Sequence, residues 1–369
     1  MKLALSILCE NPWRRTGLST LFPALVAEAL RLFPHVRWIV FAGPEQPWPI
    51  DDERVEVVRR FPANDRLWAR LRADHFSVAT EAARRGANAL LTVGFFPLRP
   101  AGLPVVTHIF TVHHLHQGGL RNAYRRWAVA HGLRRAALVI ANSQWTAVQL
   151  AVEPGRLLVS YEGVQADRFR PDGPAGTPDL PPGYLLWVAN FYPYKRAELV
   201  LAAYARLPVA LRARYPLVMA GGDWTGGRAR AEAAAVQCGV AREVRFLGWV
   251  DDAVLPAIYR GARAHVLSTA EETFGRSVVE AMACGCPCLL QELPVLREVT
   301  GGAAAFTDYT DPAVAGAALA ALCTDDALAA RLRAEGLARA AQFSFARLAR
   351  ERVGAILRLL GEPASPAEP

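Results

Sequence analysis

Short apolar runs alternate with longer stretches of helical periodicity through the first half of the chain. The runs KLALSIL, RWIVFAG, ALLTVGF, PVVTHIF and ALVIANS are almost wholly apolar. Parallel strands that helices cover on both faces have this composition. Between them lie stretches such as STLFPALVAEALRLF and RNAYRRWAVAHGLRRA, whose apolar positions recur at helical spacing. The pattern predicts a doubly wound α/β domain.

The same alternation begins again at Tyr184. The runs YLLWVAN, YPLVMAGG, EVRFLGW, AHVLS and CPCLLQE predict a second set of buried parallel strands. The two sets are separated by PDGPAGTPDLPPG, and this density of Pro and Gly is typical of a domain boundary. We therefore expect one domain at residues 1–172 and a second at 173–343.

The stretch STAEETFGRSVVEAMACGCP, residues 268–287, combines a strand end, a loop and a helix start. The preceding run AHVLS predicts a strand, so Glu272 falls on the loop after it. The apolar pattern that follows predicts a helix with Glu280 in its first turns. Arg276 and Ser277 stand where this helix begins, and its free N–H groups and dipole favour an anion there. The arrangement suits a nucleotide diphosphate, with one carboxylate near a sugar and the other near the ribose.

This stretch resembles the E-x7-E motif of the retaining glycosyltransferases of family 4. Glu272 and Glu280 are the two carboxylates, Phe274 and Gly275 lie between them, and E-A-M-A-C-G-C-P follows. The resemblance implies the GT-B fold, in which two Rossmann-like domains face each other across a cleft. It also implies that a last helix, at about residues 344–361, crosses back to the first domain. In the family, the residues around the motif bind the nucleotide sugar, which makes Phe274, Gly275, Arg276 and Ser277 candidates here.

Lysine is rare in this chain, because the 42 basic residues comprise 40 Arg and only two Lys, Lys2 and Lys195. A compact ammonium differs from a planar guanidinium where a phosphate is met as a point charge. Lys195, in VANFYPYKR, stands at the lysine of the family's G-R-x-x-x-x-K pattern, which contacts the donor diphosphate. Asn190 replaces the arginine of that pattern, so one positive charge is missing. Gly221 ends a strand as the family's G-x-G does, close to the nucleotide.

Two positions in the first half also resemble family site residues. Gly17, in RRTGLST, follows the first strand, and a glycine there lets the backbone approach a ligand. In the family this loop faces the acceptor and the donor diphosphate. His113, in TVHHLHQGG, matches a strand-end histidine that contacts the donor sugar. His114 stands where the family usually has Asp, which leaves the register between the two histidines open.

The resemblance implies transfer of a hexose-type sugar from a UDP- or GDP-sugar to a hydroxyl of a glycan or lipid-linked acceptor. The transfer would retain the anomeric configuration and serve polysaccharide, lipopolysaccharide or glycolipid synthesis. Lys195, Glu272 and His113 are the catalytic candidates, and Glu280 would hold the ribose. Protein groups would stabilise the departing diphosphate, so we expect neither a metal nor another cofactor. Asn190 and His114 favour the alternative, a non-catalytic GT-B scaffold that binds a nucleotide sugar or a protein partner.

The composition bounds the partners and the compartment. Hydrophobic residues make up 52% of the chain and charged residues 21%, as in a folded protein with large cores. The start, MKLALSILCENPW, lacks a small-residue cleavage site, and no apolar run reaches the ~18–20 residues of a membrane-spanning helix. Three of the six cysteines cluster at 284, 286 and 288 without a matching fourth ligand, which favours reduced, packed thiols over a metal site. We expect a cytoplasmic protein.

The excess positive charge belongs to the first half. Residues 1–170 carry 22 Lys and Arg against 13 Asp and Glu, a net charge of +9, and the remainder carries 20 against 21, a net charge of −1. No motif with interleaved aromatics supports nucleic acid binding. A basic face suits anionic lipid headgroups, so we hypothesise peripheral contact with the inner face of the plasma membrane. The alternative is an arginine-rich composition whose charges face solvent or pair with local acids.

Overall fold

The computed structural model describes residues 1–13, 17–112, 119–177, 179–181 and 183–366, without the side chains of residues 120 and 121. It divides into two compact units, Met1–Gly163 with Ser344–Pro369, and Val164–Phe343. The division falls before Val164 rather than after Asp172, where the Pro and Gly density suggested it. The segment ahead of that density is already tied to the second unit: the Val164 N–H donates to the Phe343 carbonyl at 2.8 Å.

The first unit contains a seven-stranded sheet among its described residues, with strand order β3-β2-β1-β4-β5-β6-β7. All neighbouring strands are parallel. The strands are β1 (Lys2–Ser6), β2 (Arg37–Phe41), β3 (Val55–Val58), β4 (Ala89–Val93), β5 (Val105–Ile109), β6 (Leu138–Ala141) and β7 (Leu157–Val159). The helices are α1 (Gly17–Leu32), α2 (Leu67–Phe76), α3 (Val78–Arg84), α4 (Leu120–Arg135) and α5 (Gln144–Leu150), with a 3-10 turn at Pro154–Arg156.

The second unit repeats this plan with a six-stranded parallel sheet in its described part, in the order β10-β9-β8-β11-β12-β13. The strands are β8 (Leu185–Val188), β9 (Leu217–Ala220), β10 (Val244–Gly248), β11 (Ala264–Leu267), β12 (Cys288–Gln291) and β13 (Ala305–Thr307). A 3-10 turn lies at Pro193–Lys195. The helices are α6 (Ala197–Tyr204), α7 (Val209–Arg214), α8 (Gly227–Gln237), α9 (Leu255–Gly261), α10 (Arg276–Ala283), α11 (Pro294–Thr300), α12 (Pro312–Thr324) and α13 (Asp326–Ala340).

The last helix, α14 (Phe345–Leu359), belongs to the first unit and packs against α1. Its buried face includes Leu348, Val353 and Ile356, which join β1 residues in one apolar cluster. The predicted return of the chain to the first domain is therefore confirmed, as are the two doubly wound parallel sheets.

Strand order in both sheets creates a point where the chain changes direction. In the first unit, the chain moves outward from β1 to β3 and then crosses to β4 on the other side of β1. In the second unit, β8 and β11 are the corresponding neighbours. Open α/β sheets bind their ligands beyond the carboxyl ends of the strands at such a switch point. The loops that follow β8 and β11 are therefore the place to look for a site in the second unit.

The thiols of Cys284, Cys286 and Cys288 are buried, and their burial raises the pKa of each thiol. Within the described ranges, no group of three His, Cys, Asp or Glu side chains is placed to hold a metal ion.

No single described helix is long and apolar enough to cross a membrane. Only α12 and α13 taken together pass that test, and they are bent by 89° at their junction.

Candidate active site

The loops after β8 and β11 are joined by hydrogen bonds to backbone groups. The Ser268 hydroxyl donates to the Arg196 carbonyl at 2.7 Å, and the Ala270 N–H donates to the Tyr194 carbonyl at 2.7 Å. The Thr269 hydroxyl adds a longer bond to the same Tyr194 carbonyl, at 3.3 Å. The β8 loop therefore has a fixed backbone from Tyr194 to Arg196, and this backbone holds Lys195 against the β11 loop.

Lys195 and Glu272 form an ion pair at this junction. Their side chains are only 14% and 13% exposed, and the Lys195 ammonium also lies 5.2 Å from the centre of the Tyr194 ring. Charges so far removed from water need a partner, because desolvating an isolated ion costs several kcal/mol. The structure thus brings together two of the predicted catalytic residues from separate motifs. The contact of the Tyr194 ring with the ammonium was not predicted, because no motif in the sequence marks Tyr194.

Glu280 lies in the second turn of α10, next to Tyr259 of α9. The Tyr259 hydroxyl donates to Glu280 Oε2 at 3.4 Å. Burial raises the pKa of the Glu280 carboxyl to about 7, while Arg276 acts to lower it and Asp252 to raise it. The carboxyl is therefore a group whose charge changes near neutral pH. Tyr259 was not among the predicted site residues, since nothing in the spacing of α9 connects it to the motif.

The position just before helix α10 is one that only glycine fits well. Gly275 has φ +88°, and a Cβ built on it would lie 2.8 Å from Leu296 Cδ2. Arg276 and Ser277 are the first two residues of the helix, at the predicted place. Because the first N–H groups of a helix lack partners within it, this end suits an anion.

The ring of Phe274, a residue predicted to bind substrate, lies in the core. Its side chain is 3% exposed and packs edge to face against Phe343, with ring centres 5.6 Å apart. The ring therefore anchors the loop in the core of the second unit. The substrate-binding role of Phe274 stays a prediction.

Asn190 and Gly221 hold the loop after β8 against the loop after β9. The Asn190 side-chain oxygen accepts from the Gly222 N–H at 3.0 Å. Gly221 has φ +152°, and a Cβ on it would lie 1.8 Å from the Ala189 carbonyl oxygen. The two backbones approach so closely that only glycine fits at Gly221. Asn190 stands at the position of the family's arginine, and its side-chain amide oxygen holds the loop.

The first unit has a polar cluster of its own at the carboxyl end of β1. Glu10 is 4% exposed and accepts a hydrogen bond from Ser19, which lies in the first turn of α1. Asp74 is fully buried and pairs with Arg70 at 2.8 Å; burial raises the pKa of its carboxyl to about 6, while Arg70 lowers it. These single residues, dispersed along the chain, form no motif, so the sequence did not identify them.

Of the two site residues predicted in the first half of the chain, the structure describes only Gly17. Gly17 is the first residue of α1, two positions before Ser19, whose hydroxyl donates to Glu10. The prediction for His113, together with the choice between His113 and His114, lies outside the described residues.

The second unit is similar in sequence to known proteins. Residues 175–339 match the family model described as Glycosyl transferases group 1. The O-antigen chain mannosyltransferase B of Escherichia coli is 36% identical over 165 residues, which are 44% of this chain. The match spans 42% of the length of that relative, less than two thirds of it.

Two solved structures have the same fold as the chain. The sucrose-phosphate synthase of Thermosynechococcus elongatus superposes with a TM-score of 0.78 at 20% identity, over 98% of this chain and 99% of that one. Anabaena HepE, in complex with UDP and glucose, superposes with a TM-score of 0.73 at 17% identity, over 97% of this chain and 100% of that one. The two α/β units of the chain have the GT-B fold, and residues 175–339 of the second unit are similar to the glycosyl transferases group 1 family.

Proposed function

We propose that this protein is a glycosyltransferase that moves a hexose-type sugar from a UDP- or GDP-sugar to a hydroxyl of a glycan or lipid-linked acceptor. The observation that carries the proposal is the junction of the β8 and β11 loops. There, Lys195 and Glu272 meet at the switch point of the second sheet, and α10 starts from the same loop with Glu280 in its second turn. This combination supplies a cation, a helix start and two carboxylates to one ligand.

Negative charge grows on the diphosphate as the bond to the sugar breaks. Lys195 and the N-terminus of α10 would stabilise this charge, because both are held in place before the reaction begins. The Lys195 backbone is fixed by its neighbours' bonds to the β11 loop, and α10 begins directly after Gly275, a position without room for a side chain. The protein therefore supplies the electrostatic stabilisation from its own groups, and we propose that no divalent metal is required.

The two carboxylates have separate tasks in this proposal. Glu280 accepts hydrogen bonds from the ribose hydroxyls, for which its ionised form is needed, and Tyr259 holds it in orientation. Glu272 accepts from hydroxyls of the donor sugar. His113 contacts the same sugar, as the resemblance implies. The transfer retains the anomeric configuration, so an α-linked donor yields an α-linked product.

The comparisons support the substrate class. One relative is a mannosyltransferase of O-antigen chains, and one structure of the same fold binds UDP and glucose. We therefore propose a role in cell-envelope glycan synthesis, in the cytoplasm and at the inner face of the plasma membrane. Both GDP-mannose and UDP-glucose belong in the first panel of donors.

Turnover of a donor panel tests the proposal. The purified protein is incubated with UDP- and GDP-sugars, with and without EDTA, and release of the nucleoside diphosphate is measured in the presence of glycan and lipid-linked acceptors. We expect release from one donor class, unchanged by EDTA, and an anomeric proton in the NMR spectrum of the product that reports retention. Loss of release with EDTA would contradict the metal-independent mechanism.

Asn190 favours a second candidate, a scaffold that binds a nucleotide sugar without transferring it. Asn190 replaces the arginine of the family pattern, and its side-chain oxygen accepts a hydrogen bond from the Gly222 N–H. The site then has one positive charge fewer for the departing diphosphate. Saturable donor binding without release, across the whole panel and with acceptors present, is the result that would select this candidate.

A further inference from the structure

Glu272 is paired with the Lys195 ammonium, a group that the proposed function assigns to the donor diphosphate. We propose that Glu272 occupies the place of the diphosphate on Lys195 in the free protein, and exchanges this ammonium for sugar hydroxyls when the donor binds. The inference rests on the proposed function, because it concerns the same site. In this proposal, Glu272 makes the protein bind the donor more tightly than the nucleoside diphosphate product.

The first step of the argument is the burial of both charges. Each side chain is nearly removed from water, and the interactions that the structure shows for the Lys195 ammonium are with Glu272 and the Tyr194 ring. Two charges in such a place satisfy each other, and neither can lose its partner without gaining another. An arriving diphosphate is that other partner for Lys195, and sugar hydroxyls are the partner for Glu272.

The second step is that the ion pair does not hold the two loops together. The bonds from Ser268 to the Arg196 carbonyl and from Ala270 to the Tyr194 carbonyl involve no charged side chain. The loops therefore stay joined when the ion pair opens. Only the two side chains have to move, so the exchange of partners requires no rearrangement of the backbone.

The consequence concerns the free nucleoside diphosphate, which carries no sugar. Its binding takes Lys195 from Glu272 and leaves that carboxylate buried beside further negative charge, with no hydroxyl to accept from. Like charges at close range repel, and unpaired buried charges are costly. Glu272 therefore weakens the binding of the product relative to the donor, and it returns to Lys195 as the diphosphate leaves.

The ion pair can be tested without any nucleotide, because the chain contains only two lysines. Limited acylation followed by mass spectrometry reports the reactivity of Lys195, with Lys2 as the internal standard. Removing the carboxylate takes away the partner that covers the Lys195 nitrogen and exposes it to the reagent, so Glu272→Gln should raise the ratio of Lys195 to Lys2 acylation at least threefold. Glu243→Gln, which removes the carboxylate of a separate ion pair with Arg212, should leave the ratio unchanged. An unchanged ratio in Glu272→Gln would overturn the proposal.

The exchange itself is tested by titration with UDP and GDP. We expect Glu272→Gln to bind the free diphosphate at least threefold more tightly than the wild type, and to lose this gain when Lys195→Gln is present as well. Equal or weaker binding by Glu272→Gln, or a gain that persists without Lys195, would overturn the exchange while leaving the proposed function intact. A wild-type protein that binds neither diphosphate would instead overturn both. Thermal unfolding of each variant shows whether it is folded.

Discussion

The Lys195 ammonium and the Glu272 carboxylate form an ion pair although they are 77 positions apart in the chain. Lys195 follows β8 and Glu272 follows β11, and these two strands are hydrogen-bonded neighbours. The chain fills one side of the sheet with β9 and β10 before it crosses back to β11. The strand order therefore turns two distant motifs into one site at the carboxyl edge of the sheet.

Removal of the Lys195 ammonium should stop sugar transfer without unfolding the protein. We expect Lys195→Ala to lower the transfer rate by ~10²–10³-fold, as is usual when one preorganised group that stabilises developing charge is lost. Lys2→Ala is the matched control, because it removes the only other lysine, which lies at the start of β1. Transfer rates and circular dichroism spectra of both variants check the prediction. A Lys195→Ala rate within threefold of wild type would contradict the role of Lys195.

The raised pKa of Glu280 predicts how nucleotide binding depends on pH. Burial brings this pKa to about 7, so the carboxyl is mostly protonated at pH 6 and mostly ionised at pH 8. Because we propose that the ionised form accepts both ribose hydroxyls, the affinity for UDP or GDP should rise about tenfold between these pH values. Titration of the wild type and of Glu280→Gln separates this effect from ionisation of the phosphate. The variant should bind more weakly and lack this part of the pH dependence.

The raised pKa of Glu280 also predicts how the free energy of unfolding changes with pH. The folded-state pKa of Glu280 is about 7, and the value for an unperturbed carboxyl is 4.5. The folded protein therefore holds this proton more tightly, and the contribution of Glu280 to the free energy of unfolding should fall as pH rises from 4.5 towards 7. Glu280→Gln keeps a neutral side chain throughout, so the difference in unfolding free energy between variant and wild type should change across this interval. A constant difference would contradict the raised pKa.

The start of α10 should not tolerate a side chain at Gly275. An alanine there combines φ +88° with a contact of 2.8 Å to Leu296, and we expect Gly275→Ala to lower the free energy of unfolding by about 1–3 kcal/mol. Gly239→Ala is the matched control: φ is +70°, and no described atom lies within 4 Å of the added Cβ. Thermal unfolding and UDP or GDP titration of both variants should show weakened binding for Gly275→Ala alone.

The charge of the first half predicts binding to anionic membranes. Arg125, Arg134 and Arg135 of α4 are exposed, and Trp127 is 47% exposed on the same helix. Each basic residue near an anionic surface contributes ~1 kcal/mol, which salt weakens. We expect co-sedimentation with phosphatidylglycerol vesicles at low salt and release at high salt. Arg134→Gln with Arg135→Gln should reduce it, whereas Arg230→Gln with Arg242→Gln, exposed in the second unit, should not. Failure to pellet at low salt would favour a soluble acceptor.

The central strands of both sheets could be predicted from the sequence, but three edge strands could not. β3, β7 and β13 each lie at the edge of a sheet, and they contain only four, three and three residues. Each of these three has one neighbouring strand and is partly exposed, so it lacks the continuous apolar run that marks a strand buried on both faces. The fourth edge strand, β10, has five residues and was predicted from its longer run. The hydrophobic pattern therefore identified the strands that form the core and the switch points.

The site shows a similar division between what the sequence could and could not reveal. Lys195, Glu272 and Glu280 were predicted because each stands in a recognisable pattern, and the structure places all three around the β11 loop and α10. Tyr259 and Tyr194, which orient them, come from positions that only the packing of α9 and the β8 loop brings close. The burial of the Phe274 ring was not predicted, because a motif records which residue is needed, not whether its ring faces a ligand or the core.

A crystal structure of the protein with UDP or GDP tests the central claim most directly. The account predicts the diphosphate within hydrogen-bonding distance of Lys195 Nζ and of the first N–H groups of α10, with the ribose hydroxyls on the Glu280 carboxylate. Glu272 should then have left the Lys195 ammonium. A nucleotide bound away from the loops after β8 and β11, or a diphosphate that leaves the Lys195–Glu272 pair closed, would contradict it.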